Sequence, residues 1–153
     1  LKNHADPTRV FLAGDSAGST LAHHSAFRVF RSCSEKRVNN IIIDGMIMIR
    51  TYFWGSNPIG SELGDPRKDM VDKWWLYVCP SDKGCDDPLI NPFCEDGSKI
   101  EEMGCERMIV LVAEKDVLCE RGRNYYEGVV KGGWNGKVEY FVSKVKDNVF
   151  HSF

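Results

Sequence analysis

The sequence lacks the features that mark several classes of protein. No Cys-x-x-Cys pair occurs among its six cysteines, so a zinc ribbon or a thioredoxin-like redox motif has no support. No run approaches the ~20 apolar residues that a membrane-spanning helix needs. The most apolar stretch, residues 41–49, is interrupted by Asp44 and Gly45. The sequence therefore predicts neither a membrane span nor a metal site of this kind.

An excess of charge of one sign is also missing. The 153 residues carry 20 basic and 22 acidic side chains, a formal charge of −2. No positive field therefore attracts the phosphates of a nucleic acid. Asn-x-Ser/Thr sequences are absent, and a chain of this length and apolar content needs no disulfide framework. We expect reduced thiols, a cytoplasmic location with the nucleus as a second compartment, and no nucleic-acid partner. Because the chain starts at Leu1 and not at methionine, the sequence leaves open whether a targeting signal lies upstream.

Apolar runs alternate with helical patterns along the chain. Buried strands are predicted at residues 9–13, 41–49 and 108–113, and a half-buried strand at 137–145. Helices are predicted at 17–30, 68–78 and 121–131. The order β-α-β-α-β-α-β predicts a mostly parallel α/β sheet with helices on both faces. In such sheets, functional sites lie at the carboxyl ends of the strands.

A G-x-S-x-G sequence joins the first predicted strand to the first predicted helix: Gly14-Asp15-Ser16-Ala17-Gly18. This strand-turn-helix setting is the one expected for a nucleophile elbow, with a chance Gly-Asp-Ser turn as the alternative. The sharp turn pushes the Ser16 hydroxyl above the sheet edge, and glycines at 14 and 18 let the helix pack close to the strand. The Ala17 N–H, at the positive end of the helix, can stabilise an oxyanion.

A serine nucleophile needs a base, and the base needs an orienting carboxylate. Asp116 follows the third buried strand, where the chain order of α/β-hydrolases places the acid, and Glu114 is the competing carboxylate. His151 lies after the last strand, in the loop expected to carry the base. His23 and His24 fall within the helix after the elbow, where core packing or surface exposure is the preferred interpretation.

Further segments accompany these residues from end to end of the chain. They are RVFLAGDSAG at 9–18, YFWG at 52–55, GCDDPLINP at 84–92, VAEKDVL at 112–118, RG at 121–122 and VFH at 149–151. With them the chain resembles the C-terminal half of a plant carboxylesterase of the hormone-sensitive-lipase-like α/β-hydrolase family, which also contains the gibberellin receptors. Together these motifs are far more specific than the elbow alone.

The resemblance implies an α/β-hydrolase domain of which residues 1–153 form only a part. It implies Ser16 as nucleophile, Asp116 as acid, and hydrolysis of small carboxylic esters without a metal or an organic cofactor. The family's His-Gly-Gly-Gly-type loop, which supplies the other oxyanion donors, lies upstream of the elbow, and nothing before Gly14 matches it. We therefore expect the N-terminal half of the domain, with that loop and the cap, to lie outside this chain.

Two segments depart from the family pattern. Asn148 stands where the family has its catalytic histidine, and His151 matches a second, non-catalytic histidine. A carboxamide cannot accept a proton at neutral pH, so Asn148 cannot be the general base. His151 could serve only if the last loop shifted in register. Arg50-Thr51 replaces the His-Pro that usually precedes the aromatic pair.

Three functions are consistent with these residues. The first is a carboxylic ester hydrolase whose activity is impaired, or rescued by His151. The second is a non-catalytic protein that binds a small hormone-like ligand, as the gibberellin receptors do. The third is a lyase or cyclase that uses the same pocket. Trp54, Trp74 and Trp75 are candidates for the pocket lining, with core packing as the alternative.

Overall fold

The computed structural model describes residues 6–34 and 41–144. These residues form four strands, β1 (Val10–Asp15), β2 (Ile43–Ile49), β3 (Cys105–Ala113) and β4 (Lys137–Ser143). They also form three α-helices, α1 (Ala17–Ser34), α2 (Arg67–Val78) and α3 (Cys119–Lys131), with short 3₁₀ turns in the loops. Each predicted strand and helix is present, with bounds that differ by a few residues.

All four strands run parallel, in the order β1-β2-β3-β4. Because every crossover moves one strand in the same direction and parallel crossovers are right-handed, helices α1 and α3 reach the same face. A hydrogen-bond contact of 2.9 Å between His23 of α1 and the Tyr125 hydroxyl of α3 joins the two helices there. The predicted parallel α/β sheet is confirmed, and of its two faces α1 and α3 cover one.

Two hydrophobic clusters hold the described residues together. The larger one, the sheet core, lies between the covered face and helices α1 and α3, and includes Phe27, Met46, Met108 and Val129. The smaller one, the α2 cluster, packs beneath α2 and consists of Trp54, Val71, Trp75, Cys85, Ile90 and Leu118. The loop that follows β2 therefore has a core of its own.

The strand register brings the site together. Asp15 at the end of β1 pairs with Ile49 at the end of β2, and Ile49 pairs with Leu111 near the end of β3. Residues that directly follow these three strands therefore meet at one edge of the sheet, the edge where parallel α/β folds place their sites.

The described residues also show the state of the thiols and the absence of two kinds of feature. Among the described cysteines, free thiols are present at Cys79, Cys85, Cys94, Cys105 and Cys119. No described helix combines the length and the apolar character needed to cross a membrane. Within residues 6–34 and 41–144, no group of three His, Cys, Asp or Glu side chains is arranged to hold a metal ion.

Candidate active site

The turn after β1 has the geometry of a strained elbow. Ser16 has a φ of 53°, in the left-handed region that costs a non-glycine residue roughly 1–3 kcal/mol. Its N–H donates to the Ile49 carbonyl at 2.9 Å, and its own carbonyl accepts the Ser19 N–H at 2.9 Å. Bonds to β2 and to α1 thus hold Ser16 in this conformation, and α1 begins at the next residue, Ala17.

The close approach of strand and helix depends on one of the two elbow glycines. A Cβ on Gly14 would lie 2.1 Å from the Gly18 carbonyl oxygen and 2.5 Å from the Ser19 nitrogen. A Cβ on Gly18 would meet none of the described residues within 4 Å. Contrary to the expectation for Gly18, the packing of α1 against β1 therefore requires the absence of a side chain at Gly14 alone.

Alanine substitutions at these two positions are expected to have opposite effects. Gly14→Ala should lower the free energy of unfolding by about 1–3 kcal/mol or more, because the new methyl meets backbone that cannot move without separating α1 from β1. Gly18→Ala should raise it by about 0.5–1 kcal/mol, because alanine is the better helix residue. Chemical denaturation of both variants measures the difference, and equal losses would contradict this steric account.

Ser16 lines a cavity of about 380 Å³, a volume in the lower part of the range for small-molecule sites. The residues that follow the three strand ends contribute Ser16, Ala17, Arg50 and Asp116. The remaining lining residues are mostly apolar and come from the loop after β2, from α2 and from the segment before α3: Tyr52, Arg67, Met70, Val71, Trp74, Val78, Val117 and Leu118. Ser16 and Asp116, 100 residues apart in the sequence, thus face one space.

Asp116 is held in place before α3. Its side chain is 3% exposed, and its Oδ2 lies 3.8 Å from Arg50 Nη1. Its Oδ1 accepts the Leu118 N–H at 3.0 Å. Glu114, the competing carboxylate, is exposed and does not line the cavity. Of the two carboxylates, Asp116 is the one placed to act on a group bound beside Ser16.

The start of α1 offers a hydrogen-bond donor to the cavity. The first N–H groups of a helix have no acceptor within the helix. Within the described part of the chain, no backbone acceptor is found for the Ala17 N–H, and Ala17 is exposed to the cavity. This N–H can therefore donate to an oxygen atom of a ligand bound at Ser16.

Tyr52 is a cavity residue that the sequence indicated only as part of a motif. Burial, followed by the nearby Cys85 and Asp72, raises the pKa of Tyr52 to about 12. The phenol therefore stays protonated at neutral pH, and it donates to the Val71 carbonyl at 3.3 Å. Tyr52 thus connects the loop after β2 to α2 and does not serve as a base.

The three tryptophan candidates separate into two groups. Trp74 lines the cavity with an exposed fraction of 56%. Trp54 and Trp75 are buried in the α2 cluster and do not line the cavity. The pocket-lining hypothesis therefore holds for Trp74 and is wrong for the other two, because they face the interior beneath α2.

His23 belongs to the core. It is fully buried, with Nδ1 2.9 Å from the Tyr125 hydroxyl and Nε2 3.3 Å from Ser98 Oγ. Burial, with a smaller contribution from His24, lowers the pKa of His23 from 6.5 to about 3. The imidazole is therefore neutral at physiological pH, and both of its nitrogens are engaged.

The lowered pKa of His23 makes stability depend on pH. Below pH 6.5 the unfolded chain binds a proton that the folded chain excludes, so the contribution of His23 to stability falls as pH falls from 6.5 towards 3. Between pH 7 and pH 5 the free energy of unfolding should drop by about 2 kcal/mol more in the wild type than in His23→Gln. Denaturant titrations at the two pH values measure this difference, and parallel losses in both proteins would contradict it.

Two residues bear on the position of the base, His151 and Asn148, which stands at the family's histidine position. Both lie outside the described residues. The structure therefore brings Ser16, Ala17 and Asp116 together, whereas the base is predicted from the sequence alone.

Comparisons with known proteins identify the family. A family model described as alpha/beta hydrolase fold matches residues 1–153. Probable carboxylesterase 2 of Arabidopsis thaliana is 50% identical over 100% of this chain and 48% of its own length. Tuliposide A-converting enzyme 1, chloroplastic, of Tulipa gesneriana is 38% identical over 99% of this chain and 37% of its own length. The chain thus spans less than half the length of these relatives.

A solved structure shows the same fold. Carboxyl esterase 2 from the mycorrhizal fungus Tuber melanosporum superposes with a TM-score of 0.76 at 18% identity, over 99% of this chain and 48% of that one. At this identity the likeness concerns the fold alone. The parallel sheet, the turn at Ser16 and the match of the family model over all 153 residues lead to one conclusion: the chain belongs to the α/β-hydrolase fold family.

Proposed function

We propose that this chain carries the nucleophile and the acid of a carboxylic ester hydrolase. Ser16 attacks the carbonyl carbon of the ester, Asp116 orients the base, and the Ala17 N–H is one donor to the oxyanion. The observation that carries the proposal is the joint position of these three residues around one cavity, with Ser16 on a strained turn. Strain of this kind is typical of functional positions.

The lining of the cavity indicates the substrate class. Its walls are largely apolar, with Met70, Val71 and Trp74 from α2, and its volume of about 380 Å³ suits a small ester. We infer a small carboxylic ester with an apolar or aromatic group against Trp74. No metal or organic cofactor is needed for this chemistry, because a serine, a base and an orienting carboxylate suffice.

The remaining parts of the site lie outside the described chain. Further oxyanion donors and the cap belong to the upstream half that the family resemblance implies, so residues 1–153 are a partial domain. Asn148 at the position of the base is expected to leave this chain with activity near background. We expect a cytoplasmic or nuclear location, although related enzymes from Tulipa gesneriana are named chloroplastic and amyloplastic.

Asn148 also favours two other candidate functions, a binding protein and a lyase or cyclase. A pocket that has a serine and an acid but no base can bind a small hormone-like molecule without turning it over, or can support a lyase or cyclase reaction that needs no acylated serine. The ester hydrolase differs from the binding protein and from the lyase or cyclase in one respect. Only the hydrolase forms an acyl group on Ser16.

A chimera tests the proposal. Its upstream half is that of the Arabidopsis relative, joined to residues 1–153 with Asn148→His. We expect this chimera to hydrolyse a short-chain p-nitrophenyl ester and to show the acyl mass on the peptide that contains Ser16. Ser16→Ala should remove both signals. Ser25→Ala, an exposed position on the same helix, is the matched control and should change neither. Activity that survives Ser16→Ala would refute the proposed nucleophile.

A further inference from the structure

Arg50 occupies the middle of the candidate site. It directly follows β2, the strand that lies between the nucleophile strand β1 and the acid strand β3. Its N–H donates to the Leu111 carbonyl at 2.8 Å, which fixes the backbone of this turn to β3. Arg50 lines the cavity together with Ser16 and Asp116. Its place in the sheet therefore puts one cation between the nucleophile and the acid.

The guanidinium of Arg50 contacts a carboxylate on each side. Nη2 donates to Oδ2 of Asp15, the residue before the nucleophile, in a short hydrogen bond. Nη1 lies 3.8 Å from Oδ2 of Asp116. A planar, forked guanidinium suits contacts with two carboxylates, because its N–H donors are held in a fixed geometry. Arg50 thus spans the distance from the elbow to the acid.

Two features of the Arg50 position are unfavourable. Its φ of 44° lies in the left-handed region that a residue with a side chain avoids. The side chain is 6% exposed, and among the described residues no acceptor is within hydrogen-bond distance of its buried Nε. A strained backbone and a buried donor both cost stability. Such a cost is typical of residues that are retained for a function of the site.

Without this cation the electrostatics of the site would change. Asp116, with a side chain that is 3% exposed, would be a buried carboxylate near the partly buried Asp15 and would lose the positive charge of Arg50. Burial and a like charge both favour the protonated form of a carboxyl group. A protonated Asp116 could no longer stabilise the positive charge that a base acquires when it takes the serine proton.

We propose that Arg50 is a positioning residue of this site, a permanent cation that keeps the carboxylate of Asp116 ionised and fixed relative to the elbow of Ser16. The proposal rests on the proposed function only in so far as Asp116 is the acid of the reaction. The charge relation between Arg50 and Asp116 is a property of the folded chain and can be measured without any turnover.

The first experiment measures the ionisation of Asp116 in the 153-residue chain. Aspartate labelled with ¹³C at the side-chain carboxyl is titrated by NMR, and Asp116→Asn assigns the signal. We expect Arg50→Met to raise the titration midpoint of Asp116 by at least about one pH unit, because an opposite charge at this distance is lost. Arg50→Lys should restore part of the shift. Asp15→Asn should move the midpoint in the opposite direction, because Arg50 then serves Asp116 alone.

The control and the overturning results are specific. Arg123→Met removes an arginine that pairs with Glu120 on α3 and should leave the midpoint of Asp116 unchanged. The Cys119 thiol, whose pKa is raised mainly by burial, is another titratable neighbour of Asp116. An unchanged midpoint in Arg50→Met, or a shift of the same sign in Asp15→Asn, would overturn the proposal. Should Arg50→Met fail to fold, the Asp15→Asn and Arg50→Lys titrations decide.

A second experiment uses the chimera with Asn148→His. There, Arg50→Met should lower kcat for the p-nitrophenyl ester at least tenfold and leave KM within twofold, with partial recovery in Arg50→Lys. If kcat is unchanged while the titration midpoint of Asp116 shifts, Arg50 affects only the ionisation of Asp116, and its proposed effect on the reaction is refuted. An inactive chimera with a shifted midpoint would instead count against the proposed function and leave the relation of Arg50 to Asp116 established.

Discussion

Asn148→His in the chimera with the Arabidopsis upstream half is expected to raise ester hydrolysis by a factor on the order of 10⁴–10⁶, the cost of a missing base in protease triads. The physical reason is that the amide at this position cannot take the proton of Ser16, whereas an imidazole can. Initial rates with a short-chain activated ester measure the gain. The same substitution in residues 1–153 alone should do little, because the upstream oxyanion donors are also needed and catalytic groups act as a unit.

His151→Ala distinguishes the two possible bases. In the chimera with Asn148→His, loss of the His151 side chain should leave kcat nearly unchanged, because the base has been restored at the family position. The reverse pattern, in which His151→Ala abolishes hydrolysis and Asn148→His adds nothing, would show that the last loop is shifted in register and that His151 is the base.

Arg121→Met is expected to lower the free energy of unfolding by about 3–5 kcal/mol, the usual cost of leaving a buried charge without its partner. Arg121 Nε donates to Glu62 Oε1 at 2.6 Å and Nη2 donates to Oε2 at 2.7 Å, and the Glu62 side chain is fully buried. Nη2 also donates to the Asn57 carbonyl at 2.6 Å. One side chain of α3 therefore holds the loop after β2, and its loss leaves the buried Glu62 carboxylate without its arginine, although the Ile59 N–H still donates to it.

The same helix provides the control for this prediction. Arg123 pairs with Glu120 across the exposed surface of α3 at 3.3 Å. Exposed pairs contribute about 0–1 kcal/mol, so Arg123→Met should have little effect. Chemical denaturation of both variants measures the contrast. Losses of similar size in the two variants would show that the Arg121–Glu62 pair adds no more than a surface pair does.

The sequence predicted the fold well because its signals are local. The apolar run before Ser16 and the helical pattern after it predicted β1 and α1, and the structure extends them only to Asp15 and Ser34. Alternation of strands and helices sufficed for a parallel sheet, since right-handed crossovers restrict the topology. The side of the sheet that α1 and α3 cover depends on strand order, which no local pattern records.

The sequence predicted the site residues that belong to a motif. It did not predict the contacts that depend on strand register. Ser16 and Asp116 were identified from the elbow and from a position after a strand, and both line the cavity. Arg50 was visible only as a departure from the family's usual residue. Its contacts with carboxylates on both sides follow from the alignment of three strand ends, which sequence spacing does not report. The contribution of α2 to the cavity wall was likewise not visible in sequence spacing.

The division of the interior into two hydrophobic clusters has a consequence for how this protein can evolve. The sheet core holds the strands, and the α2 cluster holds the helix that forms a wall of the cavity. Substitutions at sites that share no contacts have nearly additive effects on stability. Selection can therefore act on the two clusters almost separately.

Part of the cavity wall is carried by side chains that belong to neither cluster. Met70, Trp74 and Val78 line the cavity with exposed fractions of 40%, 56% and 69%. Exchanges among partly exposed side chains usually change stability by less than about 0.5 kcal/mol. A lineage can thus accumulate changes in the shape of this pocket as nearly neutral drift, while the elbow, the acid and the sheet beneath them stay under strict steric selection.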